Sequence, residues 1–159
     1  MKKIVSLLLL ILTVTLFETD IIKASGSSIE PSREIIYLEG GYYLETSIED
    51  VPVYNTISPQ STNTITKTKT AKYKNKSGTV LWTFSITGTF SYDGTTSQCN
   101  VCFHSASAPA KTWRIKSVSS YKSGNSATAT AIATHSNGSQ SQDIVKHLTI
   151  QCSSTGVVS

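Results

Sequence analysis

Carboxylates are scarce in this sequence. Of the ten Asp and Glu in 159 residues, only Asp93 and Asp143 lie beyond residue 64. A two-carboxylate glycosidase would need both to converge on one bond, and Asp93 stands beside Gly94, an ordinary place for a turn aspartate. Cysteine is scarcer still: Cys99, Cys102 and Cys152. Cys99-Asn100-Val101-Cys102 is a C-x-x-C with no second copy, and His104, His135 and His147 are scattered, so the four-ligand set of a structural zinc site is missing. Haem attachment needs His directly after the second Cys, where Phe103 stands. A redox C-x-x-C opens a helix, which lowers the thiol pKa, whereas this one sits in a strand pattern. It reads as a structural disulfide with a spare thiol. Each histidine reads as a surface residue. Serine is everywhere, so a Ser–His–Asp triad assembled on paper reflects composition alone. No catalytic residue, metal or cofactor is nominated. Helix formers are few as well, while Ser, Thr and Asn abound, which favours short strands and turns.

One long apolar run does occur, at the start. Lys2 and Lys3 precede an apolar stretch at 4–17, broken only by Ser6, Thr13 and Thr15. It is short for a membrane span and has the shape of a secretory leader, with cleavage expected near Ala24–Gly26. No cysteine follows it to carry a lipid, and no apolar tail ends the sequence. The expectation is a secreted, extracellular protein without a membrane anchor once residues 1–25 are removed. About 134 residues then remain, enough for one domain and a short extra segment.

Charge is split along the chain. Residues 26–63 carry Arg33 against six acids, a net −5; residues 64–159 carry ten bases against Asp93 and Asp143, a net +8. The halves should attract each other, or the basic half should attract an external anion.

The pattern at 79–92 organises the rest. Val80, Trp82, Phe84, Ile86, Phe90 and Tyr92 fall on even positions and Thr or Ser on odd ones, the period of a strand with one face buried. Gly88 sits on the apolar face, where a bulge or bend fits, and Leu81 alone violates the alternation. Upstream, two β-prone runs flank Glu39-Gly40-Gly41 and read as a hairpin, followed by a polar linker between Pro52 and Pro59. Residues 64–76 alternate threonine with lysine, the signature of a protected edge strand, and Asn75 to Gly78 turns that strand into the central one. Further strands are expected at 98–104, 113–121 and 144–152. Ala127, Ala129, Ala131 and Ala133 add a shallow face suited to lie opposite Trp82 or Trp113. The organisation expected is a leader at 1–25, an acidic hairpin segment and linker at 26–63, and at 64–159 an immunoglobulin-like antiparallel β-sandwich of about seven strands.

Several motifs carry a resemblance: the Lys/Thr strand, Lys76-Ser77-Gly78, Leu81-Trp82, the run from Gly88 to Gly94, Cys99, Trp113-Arg114-Ile115, the run from Lys122 to Asn125 with its alanine stripe, and the run from Leu148 to Cys152. In these the chain resembles a family of small secreted proteins of Gram-positive bacteria, over most of the mature length. The motifs are structural. They imply secretion, an all-β domain and a Cys99–Cys152 disulfide, and Cys102 departs from the pattern. Face alternation agrees with that pairing: Cys99 shares a face with Val101 and Phe103, Cys152 with Leu148 and Ile150, and Cys102 falls on the opposite face with Asn100 and His104.

The function expected is a non-catalytic binding module. Its candidate contact residues are Lys67, Lys69, Lys72, Lys74 and Lys76, and its expected partner is a cell-wall or host-surface polyanion. Specific nucleic-acid binding is not expected, because the lysine strand lacks an aromatic platform. A secreted hydrolase, or an antibacterial or host-directed effector, is the alternative class.

Overall fold

A computed structural model describes residues 33–51 and 63–159; the leader, the start of the acidic segment and the linker lie outside the described residues. Eight strands form: β1 (Arg33–Tyr37), β2 (Tyr43–Asp50), β3 (Asn63–Lys74), β4 (Val80–Tyr92), β5 (Ser97–Ser107), β6 (Trp113–Ser123), β7 (Ser126–Asn137) and β8 (Gln140–Gln151). The only helical element among the described residues is the 3-10 turn Glu39–Gly41. The strands make two antiparallel sheets, β1-β2-β3-β4-β5 and β6-β7-β8, packed as an all-β sandwich. Six strands follow Asn63, one fewer than the immunoglobulin-like template, and every strand within a sheet bonds its neighbour in sequence. The chain changes sheet once, between β5 and β6.

The central strand behaves as its alternation requires. Trp82, Phe84, Ile86 and Phe90 are all but fully buried on the inner face of β4. Opposite them, Ala127, Ala129, Ala131 and Ala133 of β7 are buried completely. Small side chains on one sheet make room for aromatic ones on the other, so the layers close at interior density. Leu81 breaks the alternation because it is a bulge: Tyr73 pairs with Trp82 and Lys74 with Val80, leaving Leu81 as the extra residue. It is buried beside Trp82. Gly88 is required by its neighbour, since a Cβ there would lie 2.6 Å from the Phe90 ring, which folds back over the glycine.

A second bulge corrects the reading of β5. Thr89 pairs with Val101 and Phe90 with Cys99, so Asn100 is extra and reverses the faces beyond it. Val101 and Phe103 point out, at 52% and 56% exposure, while Cys102 pairs with Gly88 and packs against the core. Cys99 and Cys102 therefore share the inner face, where simple alternation separates them.

The hairpin does not stand apart from the sandwich. β2 pairs with β3 along its whole length, from Tyr43 opposite Lys74 to Asp50 opposite Lys67. The acidic segment is thus laid directly beside the lysine strand, the first of the two outcomes its charge split allows. The second sheet packs on β3, β4 and β5, and β1 and β2 extend beyond it.

Candidate functional site

A cleft near three of the lysines lies at the base of the hairpin. Gly40 and Gly41 adopt φ of 72° and 77°, a left-handed conformation that glycine takes without a steric penalty. The tight turn they allow brings Tyr37, Tyr42 and Tyr43 together. Tyr42 stacks on the buried Tyr73 at 5.5 Å, and Tyr37 meets Tyr43 at 6.1 Å. Lys76, in the β3–β4 turn, packs against Gly41. That turn is set by Asn75, whose side-chain oxygen accepts from the Ser77 and Thr79 amides. Together these residues enclose a cleft of about 460 Å³, lined by Ile35, Tyr37, Tyr42, Tyr43, Glu45 and Lys76.

Glu45 is the acidic centre of the cleft and is itself buried. Lys74 Nζ donates to its carboxylate at 2.8 Å, and Arg33 Nε lies 3.8 Å away. The Lys74 hydrogen bond, with the nearby charges of Arg33 and Lys72, holds Glu45 below the usual carboxylate range against the opposing effect of burial. Lys74 also lies 5.8 Å from the Tyr43 ring centroid. Arg33, Lys72 and Lys74 thus surround Glu45, and Lys76 lines the same cleft. Burial pushes the Tyr73 phenol above its ordinary pKa, so it stays a neutral support for Tyr42.

The five lysines of the expected site do not form one row. Lys67 and Lys69 share the inner face of β3, and Lys72 and Lys74 the outer one. Lys67 is ion-paired with Asp50. Lys69 lines a separate small cleft with Glu34, Thr46 and Ile48. Only Lys72, Lys74 and Lys76 gather near the tyrosines. Those tyrosines were missed at the level of sequence. A signal was present, aromatic residues on both sides of a Gly pair, but nothing local tied that turn to the one at Lys76.

The expected Cys99–Cys152 disulfide is corrected: all three cysteines are free thiols. Both cysteines face the core, as expected, but they bond the β6–β7 turn rather than each other. The Cys99 amide donates to Gly124 O at 2.8 Å and the Cys152 amide to Asn125 O at 3.0 Å. Each thiol donates to a backbone carbonyl of its own segment, Val101 and Ser153 respectively. Burial raises the pKa of both thiols, so the reactive thiolate is disfavoured. Thiol titration of the unfolded protein without reductant should therefore find three thiols, and in the native state Cys102 should react first.

The histidines do not meet. His104 hydrogen-bonds Ser120 at 2.8 Å, His147 hydrogen-bonds Thr130 at 2.9 Å, and His135 stacks on Trp113 at 4.6 Å. Asp93 accepts from the Thr95 and Thr96 amides, which lower its pKa and mark it as a turn residue. Asp143 is held by Lys116 and Thr134, which lower its pKa too. The two carboxylates serve separate structural pairings. Set against family models, curated proteins and solved structures, the chain matches none.

Proposed function

We propose that this chain is a secreted, non-catalytic binding module that takes an anionic surface polymer at the tyrosine cleft. The observation that carries this reading is the convergence of Tyr37, Tyr42 and Tyr43 with Lys72, Lys74, Lys76 and Arg33 around one partly neutralising carboxylate. Tyrosines supply flat contact area at small entropic cost. The surplus of cations supplies attraction to phosphate or carboxylate groups. The acidic hairpin moderates that attraction, because Glu45 already occupies Lys74 and Asp50 already occupies Lys67. Secretion rests on the leader at residues 1–25, outside the described residues.

The test is binding of the purified protein to an isolated phosphate-bearing wall polymer. Binding at low salt should fall steeply towards ~1 M salt, where the screening length is about 3 Å. Reversing two charges, Lys72→Glu with Lys76→Glu, should weaken it by roughly tenfold or more. Glu45→Gln, which removes the internal counter-ion, should tighten it. No binding at low salt, or equal binding by the double variant, rejects the proposal.

A further inference from the structure

The inner face of the three-stranded sheet continues past its cover, and there its chemistry changes. Along β7 the core-facing positions run Ala127, Ala129, Ala131 and Ala133. The next two in the same alternation are His135 and Asn137. Across the β7–β8 hairpin, Gln142 is the register partner of His135 and Gln140 that of Asn137. Residues directly opposite on an antiparallel pair share a face. All four therefore continue a face that, nearer the core, is filled by the buried alanines of β7 and by Leu148 and Ile150 of β8. With Ser141 they line a shallow cleft of about 390 Å³, and among the described residues that line it none is Lys, Arg, Asp or Glu. His135 lies against Trp113 with ring centroids 4.6 Å apart and planes 18° from parallel, which gives the cleft an aromatic wall.

The polar groups here are unspent. On the outer face of the same hairpin, neighbouring polar side chains are paired: Thr128 with Thr149, Thr130 with His147, Thr134 with Asp143. Among the described residues, the side chains of Asn137, Gln140 and Gln142 have no such partner. Each carboxamide offers two donors and an acceptor, and neutral imidazole offers one of each. That inventory matches a ligand whose groups are themselves both donors and acceptors and carry no charge. Sugar hydroxyls fit it, and the C–H face of a pyranose fits the flat imidazole of His135, which is backed by the buried Trp113.

We propose that this cleft binds a neutral saccharide. Asn137, Gln140 and Gln142 pair with its hydroxyls, and His135, braced by Trp113, presents the surface on which a sugar ring lies. The assignment is independent of the tyrosine cleft, which is cationic and would lose its ligand in salt. A neutral sugar held by amides and stacking would not be released by salt.

The experiment titrates the purified protein with three neutral probes: linear glucan, mannan and N-acetylglucosamine oligosaccharides. It is run at ~1 M salt, where ionic attachment is screened. The readouts are tryptophan emission and the His135 ring resonances. At least one probe should shift both. Gln142→Ala and Asn137→Ala should each weaken that binding about five- to tenfold, the loss of about one hydrogen bond. Both positions are exposed, so the variants should keep the parent's unfolding midpoint. Silence across the panel, or parental binding by both variants, overturns the assignment. A flexible neutral peptide that reproduces the shifts when no saccharide does also overturns it. A negative result with wall polymer leaves this cleft untouched, so the two readings fail separately.

Discussion

Strand β3 is bonded on one side to β4 and on the other to β2, and the two seams are held by different forces. Towards β4 the inner face is aromatic and covered by the alanines of β7, while the outer face carries hydroxyl pairs, Thr66 with Thr89 at 3.0 Å and Thr68 with Thr87 at 2.7 Å. Towards β2 the second sheet gives no strand cover, and charge ties the seam: Glu45 to Lys74, Asp50 to Lys67. Burying one large apolar side chain is worth about 1.5–3 kcal/mol, whereas an ion pair with an exposed partner, as in Asp50–Lys67, contributes about 0–1 kcal/mol. One sheet thus joins a stable half to a half whose attachment responds to salt and acid. The tyrosine cleft lies in the second half, where charge is available to a ligand.

Substitutions on the two sides should differ accordingly. Trp82→Ala, in the covered half, should cost about 3–5 kcal/mol of unfolding free energy, because the site cannot collapse around so large a loss. Gly88→Ala should cost about 1–3 kcal/mol by driving a methyl into the Phe90 ring, and Gly88→Ala combined with Phe90→Leu should recover part of it. Neither cost should change with salt. A Trp82→Ala protein that unfolds at the parental denaturant midpoint would remove the basis of the contrast.

On the charged side, Glu45→Gln should cost about 1.5–3 kcal/mol near neutral pH, the worth of one hydrogen bond to a charged group. The sign of the pH effect follows from the lowered pKa. Glu45 stabilises the fold above its unfolded value of about 4.3, and that stabilisation is lost as pH falls through the lower folded value. Parent and variant should therefore converge in acid, as measured by thermal midpoints across pH. Asp50→Asn should have the smallest effect, under about 1 kcal/mol and reduced further by salt, because the Asp50 side chain is 71% exposed. A larger loss there than at Glu45 would reverse the ranking of the two ion pairs.

The strand pattern was legible residue by residue. The alternation of β4 and the alanine stripe of β7 read correctly because the two faces of a strand are a local property of the backbone. The lysine–threonine strand, expected at an edge, lies instead inside its sheet between β2 and β4, because which strands flank it is not a local property. Leu81 and Cys102 read less well for one common reason. A bulge inserts a residue, and the extra residue is visible only against the partner strand: Tyr73 and Lys74 reveal Leu81, and Thr89 and Phe90 reveal Asn100. The expected sharing of a face by Cys99, Val101 and Phe103 failed there.

Local composition therefore determined the all-β class, the identity of the core strand and the separation of acidic from basic segments. Pairing between distant strands decided what those segments do. Glu45 became a counter-ion for Lys74 only because β2 lies beside β3 with Glu45 opposite Lys72. Tyr42, Tyr43 and Lys76 formed a cleft only because the Gly40-Gly41 and Asn75–Gly78 turns sit at the same end of the sheet. His135, Asn137, Gln140 and Gln142 share one uncovered face because of the β7–β8 register. A slip of one residue in any of these pairings would send the same side chains to the other face, and no stretch of sequence taken alone specifies its partner's register.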